Sequence, residues 1–250
     1  MSSSIWTQCA AASSVAPLAA TAWRVVEAQH QISTRKLVDS AEEQVVLEAL
    51  IETAKPPMRA PRLHTLLGTP FRYPPLRYGS RFGTRHEPGL WYGSEDQRTV
   101  FAEAAYYRFV FLEGTRADLG LLTTWHTAFR VQVRTARGLD LTTRPFTPVR
   151  PAISSPVTYA ESQQLGRDMR EAGVEAARYY SARDAEEGVN IVVLAGAAFG
   201  QARPREFQTW HAVATRARVE FLRRDWTETR AHAYPRDQFL VDGVVPAPAL

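Results

Sequence analysis

The order of helical and extended patterns along the chain predicts an α+β fold. Apolar residues recur at helical spacing early in the chain, whereas the later chain mixes helical segments with strands. The stretch "TTWHTAFRVQVRT" alternates, with Phe129, Val131 and Val133 apolar and the residues between them polar, which is typical of a half-buried strand. Helices followed by a mixture of helices and strand pairs favour α+β over a doubly wound parallel sheet.

The first sixty residues are predicted to precede the main domain as an extension. Residues 1–20 are small, polar and alanine-rich, and we expect them to form a flexible tail. Residues 21–60 are predicted as a helical extension, because Val25, Val26 and the later apolar residues recur every three or four positions. The stretch "KPPMRAP" then breaks the helix and links it to the rest of the chain.

Polar residues in this extension supply candidate helix starts. Ser33 or Thr34 is placed to begin one helix. Ser40, followed three residues later by Glu43, forms a capping-box pattern for a second. We therefore expect two or three helices before residue 55.

Residues 62–250 are predicted to form the main domain. The segment Tyr159–Gly173 is helical and ends at its glycine. "VNIVVLAG" predicts a buried strand, and "QTWHAVATRARVEFLRRD" predicts one long alternating strand. Ser94, followed by Gln97, predicts the N-cap of an amphipathic helix.

Composition and charge place the chain among globular proteins. It has 250 residues, of which 45% are hydrophobic and 22% charged, and this supplies enough apolar side chains for a sizeable core. The net charge is +4, and arginine provides nearly all of the positive charge, because Lys36 and Lys55 are the only lysines. The arginines are scattered rather than clustered on one stripe, so nucleic-acid binding is not predicted.

Cysteine content and hydropathy predict a cytoplasmic protein. Cys9 is the only cysteine, so no intramolecular disulfide forms, and this fits a reducing compartment. The first residues lack the charged and apolar regions of a signal peptide. No run reaches the roughly 18 apolar residues that a membrane span needs.

Several common catalytic and cofactor-binding motifs are absent from the sequence. It has no GxGxxG after a strand, no phosphate-binding P-loop and no GxSxG. The six histidines are isolated from one another, and with one cysteine a zinc site is not expected. We therefore expect neither a cofactor nor a metal.

One helical segment carries a carboxylate on its apolar face. Val100, Ala104 and Tyr107 lie three or four residues apart, and Glu103 falls among them. A buried carboxylate is costly unless it meets a donor or a wet cavity. Two explanations stay open from the residues alone: a structural ion pair with a loop arginine, or a position in the wall of a cleft.

Other polar and aromatic residues accompany Glu103 in a defined order. "FRYPP" has an Arg-Tyr pair before two prolines, "GSRFGTRHEPG" sets two arginines between glycines, "WYGS" ends a strand, and "YYSARD" precedes the buried strand. Each alone has a structural explanation as a loop cation, a core aromatic or a cap. The candidate residues are Arg72, Tyr73, Arg81, Arg85, Tyr92, Ser94, Glu103 and Ser181.

This ordered set resembles the RES-domain family, which is named after its Arg, Glu and Ser. The resemblance covers roughly residues 62–235, and the preceding segment resembles the N-terminal helical extension of longer members. It implies an NAD-degrading toxin of a bacterial toxin–antitoxin pair. The implied fold is similar to that of ADP-ribosyltransferases, with β-sheets around a cleft for NAD, so residues 62–250 are expected to be a RES-type catalytic domain.

The resemblance also assigns roles by position. Arg81, Glu103 and Ser181 match the three naming residues and are the expected catalytic residues. The family's GRW with a following Asn is "SRFGTRHEPG" in this chain, so Arg81 and Arg85 compete for one role, and the spacing to Tyr92 favours Arg81. The expected NAD-contacting residues are Arg72 and Tyr73, which match an early Arg-Tyr pair, together with Arg85, Tyr92 and Ser94.

The implied reaction is cleavage of the nicotinamide–ribose bond through an oxocarbenium-like transition state. Glu103 is the residue expected to stabilise the charge on the ribose, and Ser181 is expected to hydrogen-bond Glu103 or a phosphate. Arg72 and Arg81 are expected to hold the pyrophosphate. The aromatic rings expected to wall the nicotinamide or adenine are those of Tyr73 and Tyr92.

The remaining expectations concern the acceptor of the reaction, the partners of the protein and two alternative functions. Water or inorganic phosphate is the acceptor, and phosphate needs an extra cationic pocket, for which Arg85 and Arg183 are candidates. The expected partner is a helical antitoxin that blocks the cleft, and the N-terminal helices are candidates for contacting it or for forming a homo-oligomer. The alternatives are ADP-ribosyl transfer to a macromolecule and a non-catalytic partner-binding scaffold.

Overall fold

A single mixed sheet organises the chain in the computed structural model. The model describes residues 4–28, 37–57, 60, 62–75, 77–224 and 228–248. The helices are α1 (Ile5–Gln8), α2 (Ala41–Ala54), α3 (Thr65–Gly68), α4 (Gln97–Gly114), α5 (Arg150–Ile153) and α6 (Ala160–Glu171). The strands are β1 (Ala16–Glu27), β2 (Trp91–Ser94), β3 (Leu122–Asp140), β4 (Ala176–Tyr180), β5 (Val189–Val193), β6 (Arg205–Ala214), β7 (Arg218–Arg224) and β8 (Thr229–Pro235). The predicted α+β class is confirmed.

Five strands of the sheet close into a ring, and three more extend from it. The strand order is β1-β2-β5-β4-β3-β6-β7-β8, and β1 also pairs with β3, which closes the first five strands. The long strand β3 pairs with β6 through its first half and with β1 through most of its length. Its last residues pair in parallel with β4, whereas the other pairs are antiparallel.

Helix α4 covers one face of the strands that extend from the ring. Its Phe101 lies 4.6 Å from the ring centre of Trp210 on β6 and 4.5 Å from that of Phe221 on β7. Phe109, two turns further on, is also fully buried in this cluster. These apolar contacts set the rotation of α4 about its own axis. Glu103 therefore lies on the face of the helix that points away from this apolar cluster.

The N-terminal segment differs from its prediction. Residues 16–27 form β1, which pairs with β3 from Leu18–Thr135 to Glu27–His126. The same β-branched and aromatic residues that recur at helical spacing also suit a strand, and pairing with a partner more than a hundred residues away decides between the two. The prediction of a helix from residue 21 is therefore wrong for this part.

The first residues are also ordered by contacts with the core. Ile5 in α1 and Ala11 are buried in the cluster that contains Leu165 and Met169 of α6. The expectation of a flexible tail is therefore wrong for residues 5–20. The physical reason is burial of apolar side chains against α6 and the pairing of β1 with β3.

Helix α2 agrees with its prediction. Ser40 is the N-cap and its hydroxyl accepts from the Glu43 N–H at 3.1 Å. The Glu43 carboxylate accepts from the Asp39 N–H at 2.9 Å, one residue before the position of an ideal capping box. The alternative starts at Ser33 and Thr34 lie outside the described residues.

The later elements confirm most predicted segments. Phe129, Val131 and Val133 are buried on β3, α6 is followed by Gly173 with φ of +68°, and β5 is a buried strand. The single strand predicted from residue 208 is instead the hairpin β6–β7. The chain turns at Thr215, whose hydroxyl accepts from the Arg218 N–H at 3.1 Å. None of the helices in the described part of the chain has the length and apolar content to cross a membrane.

Candidate active site

A cavity of about 280 Å³ lies between α4 and the ring of strands. Helix α4 supplies one wall, β1, β2 and β5 supply others, and the loop around residues 80–81 closes one side. The apolar lining consists of the small residues Val25, Gly93, Val100 and Ala104. The polar and aromatic lining comprises Arg24, Ser80, Arg81, Tyr92, Ser94, Glu103, Tyr107, Tyr159, Tyr179 and Asn190.

Glu103 is part of the cavity wall and not of a closed core. Val100, Ala104 and Tyr107, which share its helix face, also line the cavity. The Glu103 Oε1 atom accepts from Ser181 Oγ and from Asn190 Nδ2, each at 2.6 Å. Among the described residues, Oε2 accepts no hydrogen bond, so one oxygen of the carboxylate is available to a ligand.

Ser181 donates a hydrogen bond to Glu103, which is one of the two contacts predicted for this serine. It follows β4, and its Oγ accepts from the backbone N–H groups of Arg183 at 3.0 Å and Asp184 at 3.1 Å. These two bonds occupy its lone pairs and direct its single O–H towards Glu103. The serine therefore holds the carboxylate in place.

The loop that carries Ser181 is fixed to the start of α4. The buried carboxylate of Asp184 pairs with Arg98 and accepts from Thr99 Oγ1 at 2.7 Å. A Cβ at Gly188 would lie 1.9 Å from Thr99 Oγ1, so this close approach requires glycine. The helix that bears Glu103 thus also positions the serine that binds it.

Ser94 and Asn190 continue the hydrogen-bond chain on neighbouring strands. Ser94 Oγ donates to Asn190 Oδ1 at 2.6 Å, and both side chains are buried. Ser94 is the last residue of β2, and Asp96 takes the N-cap position of α4. The prediction of Ser94 as the N-cap is therefore wrong, because its side chain points to β5 rather than to the helix end.

Two arginines also line the cavity. Arg81 donates to the carbonyl oxygens of Ile153 at 3.1 Å and Ser155 at 3.0 Å, and its guanidinium lies 4.8 Å from the Tyr159 ring centre. Arg24 on β1 donates to the Tyr92 carbonyl at 2.7 Å. Within the described ranges, neither guanidinium meets a carboxylate.

The surroundings of Arg24 leave its charge uncompensated. Its guanidinium lies 5.4 Å from the Trp91 ring centre, and its buried Nε has no hydrogen-bond partner among the residues that the structure describes. Burial lowers the pKa of Arg24 to about 10, which still leaves the group charged at neutral pH. Together with Arg81 it gives the cavity a cationic side.

Tyr92 supports the loop that bears Arg81. Its hydroxyl lies 2.9 Å from Ser80 Oγ and accepts from the Phe82 N–H at 3.1 Å. Burial raises the pKa of Tyr92 to about 12, so the phenol stays protonated at neutral pH. Tyr92 is among the lining residues of the cavity, and its predicted contact with NAD stays a prediction.

Three predicted NAD-contacting residues lie outside the cavity lining. Arg72 pairs with Glu52 of α2 at 2.7 Å, and the neighbouring Tyr73 is exposed. Arg85 is exposed and contacts His86, so Arg81 is the arginine of its loop that reaches the cavity. Contact of Arg72, Tyr73 and Arg85 with NAD stays a prediction, and none of the three belongs to the lining of this cavity.

The candidate phosphate ligand Arg183 is also placed elsewhere. It is buried, and its guanidinium lies 3.6 Å from the Tyr106 ring centre and donates to the Pro156 carbonyl at 3.0 Å. It does not line the cavity.

Sequence reasoning missed Arg24 and Asn190. The sequence did not indicate Arg24 as a site residue because the spacing of its segment predicts a helix, although "AWRVV" also suits a strand. Asn190 is a polar residue inside the apolar strand "VNIVVL", which is a signal that a buried partner exists. Among the described residues, no group of three His, Cys, Asp or Glu side chains is arranged to hold a metal.

Comparison with known proteins gives a family. The family model of the RES domain matches residues 56–216. No curated protein matches the chain. A solved structure, the M. tuberculosis MbcT–MbcA toxin–antitoxin complex, has a chain with 15% sequence identity and a TM-score of 0.44, over 77% of this chain and 85% of that one. On the match of the family model to most of its length, the chain belongs to the RES-domain family.

Proposed function

We propose that this protein is a toxin of a toxin–antitoxin pair that degrades NAD by cleaving its nicotinamide–ribose bond. Membership of the RES-domain family supports this class of activity. The observation that carries the proposal is the pairing, in one cavity, of a held carboxylate with two arginines that lack carboxylate partners. NAD needs both: an anion site for its pyrophosphate and a negative group beside the ribose.

The carboxylate suits the charge that develops during cleavage. As the bond to the nicotinamide nitrogen breaks, its electron pair leaves with the nicotinamide and the ribose becomes oxocarbenium-like. Glu103 stabilises this cation through Oε2, because Oε1 is already engaged by Ser181 and Asn190. Fixed geometry matters here, since no reorganisation is then required during the reaction.

The arginines suit the substrate's diphosphate. Guanidinium groups bind phosphate oxygens by charge-assisted hydrogen bonds. Arg24 and Arg81 take this role in the proposal, and Arg24 replaces Arg72 in it. The tyrosine rings at positions 92, 107, 159 and 179 supply stacking surfaces for the nicotinamide.

The acceptor is either inorganic phosphate or water. Attack by phosphate gives nicotinamide and ADP-ribose 1″-phosphate, whereas attack by water gives nicotinamide, ADP-ribose and one proton. A helical antitoxin that covers the cavity would silence either reaction. The same membership of the family supports this partner.

Release of nicotinamide from NAD by the purified protein tests the proposal. Glu103→Gln should lower turnover by roughly 100-fold or more, because it removes the charge and keeps the shape. Arg134→Ala, at an exposed arginine of β3, is the matched control and should retain wild-type turnover. Equal turnover in Glu103→Gln and the wild type would contradict the proposal.

Two further measurements separate the rival functions. A rate that does not change when phosphate is omitted identifies water as the acceptor. Transfer of label from tagged NAD to a macromolecule would instead indicate ADP-ribosyl transfer. Expression in a bacterium should stop growth and lower NAD, and Glu103→Gln should relieve both; harmless expression with intact NAD favours a scaffold.

A further inference from the structure

We infer that Asn190 is a positioning residue that fixes the Glu103 carboxylate so that Oε2 is the oxygen presented to the ligand. The expected effect of Asn190 on turnover rests on the proposed function, whereas its hydrogen bond to Glu103 does not. The inference starts from the direction of the hydrogen bonds around the amide. Ser94 donates to Asn190 Oδ1, and Asn190 Nδ2 donates to Glu103 Oε1.

The charge of Glu103 selects this orientation of the amide. If the amide were reversed, its oxygen would face Glu103 Oε1 at 2.6 Å, and two acceptors would oppose each other. The buried Ser94 hydroxyl completes the arrangement by supplying a donor to the amide oxygen. Asn190 is therefore held at both ends of its amide group.

The backbone of Asn190 belongs to the most constrained part of the ring. On β5 it pairs with Ser94 of β2 on one side and with Tyr179 of β4 on the other. The second donor to Glu103, Ser181, lies instead on the loop that follows β4. A donor on a strand that is paired on both sides holds the carboxylate more accurately than a donor on a loop does.

Few other groups near Glu103 titrate around neutral pH. The titratable and charged groups that face it are Tyr106 and Tyr107 on α4, Arg24 on β1, Arg81 in the loop before β2, Tyr159 before α6 and Tyr179 on β4. Burial raises the pKa of Tyr106 and of Tyr179 above the ordinary value. A carboxyl group introduced at position 190 therefore adds a dependence on pH that the neighbouring groups do not obscure.

The test uses a pair of substitutions that exchange amide and carboxylate. Asn190→Asp places two carboxylates 2.6 Å apart, and such a pair must share a proton. The proton is bound more tightly in the folded protein than in the unfolded chain, so the stability it gives is present at low pH and is lost as pH rises through the folded pKa. Thermal unfolding without NAD should therefore show a midpoint that falls more steeply from pH 5 to pH 8 than in the wild type.

The double substitution Glu103→Gln with Asn190→Asp is the matched control. It lets an amide on α4 donate to a carboxylate on β5, so the added dependence on pH should disappear. If Asn190→Asp has the same dependence on pH as the wild type, or if the double variant keeps the steeper one, the contact is absent and the inference is wrong.

Turnover supplies the readout for positioning. Asn190→Ala should lower kcat on the order of 100-fold with little change in KM, because Glu103 loses its fixed orientation while the arginines are intact. A wild-type kcat in this variant would overturn the positioning role even if the stability measurements agree. Absence of NAD turnover in the wild type would count against the proposed function alone, since the unfolding measurements need no NAD.

Discussion

The acid side of the cavity lining, which is Glu103, and its arginine side, which is Arg24 and Arg81, hold their charges in different ways. On one side, the Glu103 carboxylate receives two hydrogen bonds at a single oxygen, from a strand and from a loop. On the other side, Arg24 and Arg81 donate to carbonyl oxygens and lie over aromatic rings, and no carboxylate of the described chain meets them. The acid is held in place before a ligand arrives, whereas the cations still lack a counter-ion.

This difference has a consequence for stability. Removing a cation from water is costly unless an anion accompanies it. Arg98 avoids that cost by pairing with Asp184, but Arg24 does not, and its buried Nε has no hydrogen-bond partner in the described part of the chain. An anionic ligand would supply the missing counter-charge, and sites that bind in this way are commonly less stable when empty.

The largest expected effect is on binding through Arg24. Arg24→Met keeps an unbranched apolar side chain but removes the charge, and it should weaken binding of ADP-ribose by about 100-fold. The ligand-free variant should be no less stable than the wild type, because an unpaired cation no longer has to be partly buried. Calorimetric titration and thermal unfolding measure the two quantities.

Arg134→Met is the control for this comparison, since Arg134 is an exposed arginine on β3. It should change neither quantity. A loss of stability in Arg24→Met that equals its loss of binding energy would show that Arg24 is structural, and the contrast between the two sides would fail.

The residues on the acid side were mostly predictable from sequence. Glu103 stands out as a carboxylate among apolar positions of a helix, and Tyr92 and Ser181 accompany it in an order that resembles the family's. The hydrogen bond from Ser181 to Glu103 was also expected. Local patterns suffice here because α4 and the residues before it form recognisable elements on their own.

On the arginine side Arg81 was predicted, whereas Arg24 was less predictable because its place depends on pairing between distant strands. The segment of Arg24 fits a helix or a strand by spacing, and β3, a hundred residues later, decides the outcome. Likewise, Arg72 has the expected neighbours in sequence, yet Glu52 of α2 pairs with it outside the cavity. Ser94 looked like a helix cap because sequence spacing does not reveal which strand its side chain faces.

An intermediate effect is expected at Arg98, the paired counterpart of Arg24. Arg98→Met leaves the buried Asp184 carboxylate without its cation and should lower the free energy of unfolding by about 1–3 kcal/mol. Turnover should fall as well, because Asp184 lies in the loop that positions Ser181. Denaturant unfolding measures the first effect and nicotinamide release the second.

The pair of methionine variants sharpens the contrast between the two arginines. Arg98→Met should be destabilised and Arg24→Met should not, although each loses one guanidinium. If both variants lose the same stability, the presence of a carboxylate partner does not distinguish the two sites.

The smallest expected effect is at Tyr92, which supports the loop of Arg81. Tyr92→Phe removes the hydroxyl that contacts Ser80 and Phe82 and should cost about 1 kcal/mol of stability. KM should rise a few-fold at nearly constant kcat, because the loop of Arg81 loosens while Glu103 keeps both of its donors. Since the pKa of Tyr92 is raised to about 12, the phenol is neutral up to pH 9, and the ratio of variant to wild-type turnover should stay constant from pH 6 to pH 9. A fall in kcat instead of a rise in KM would mean that Tyr92 acts through Glu103. The distinction between a held acid and unpaired cations in the cavity would then be wrong.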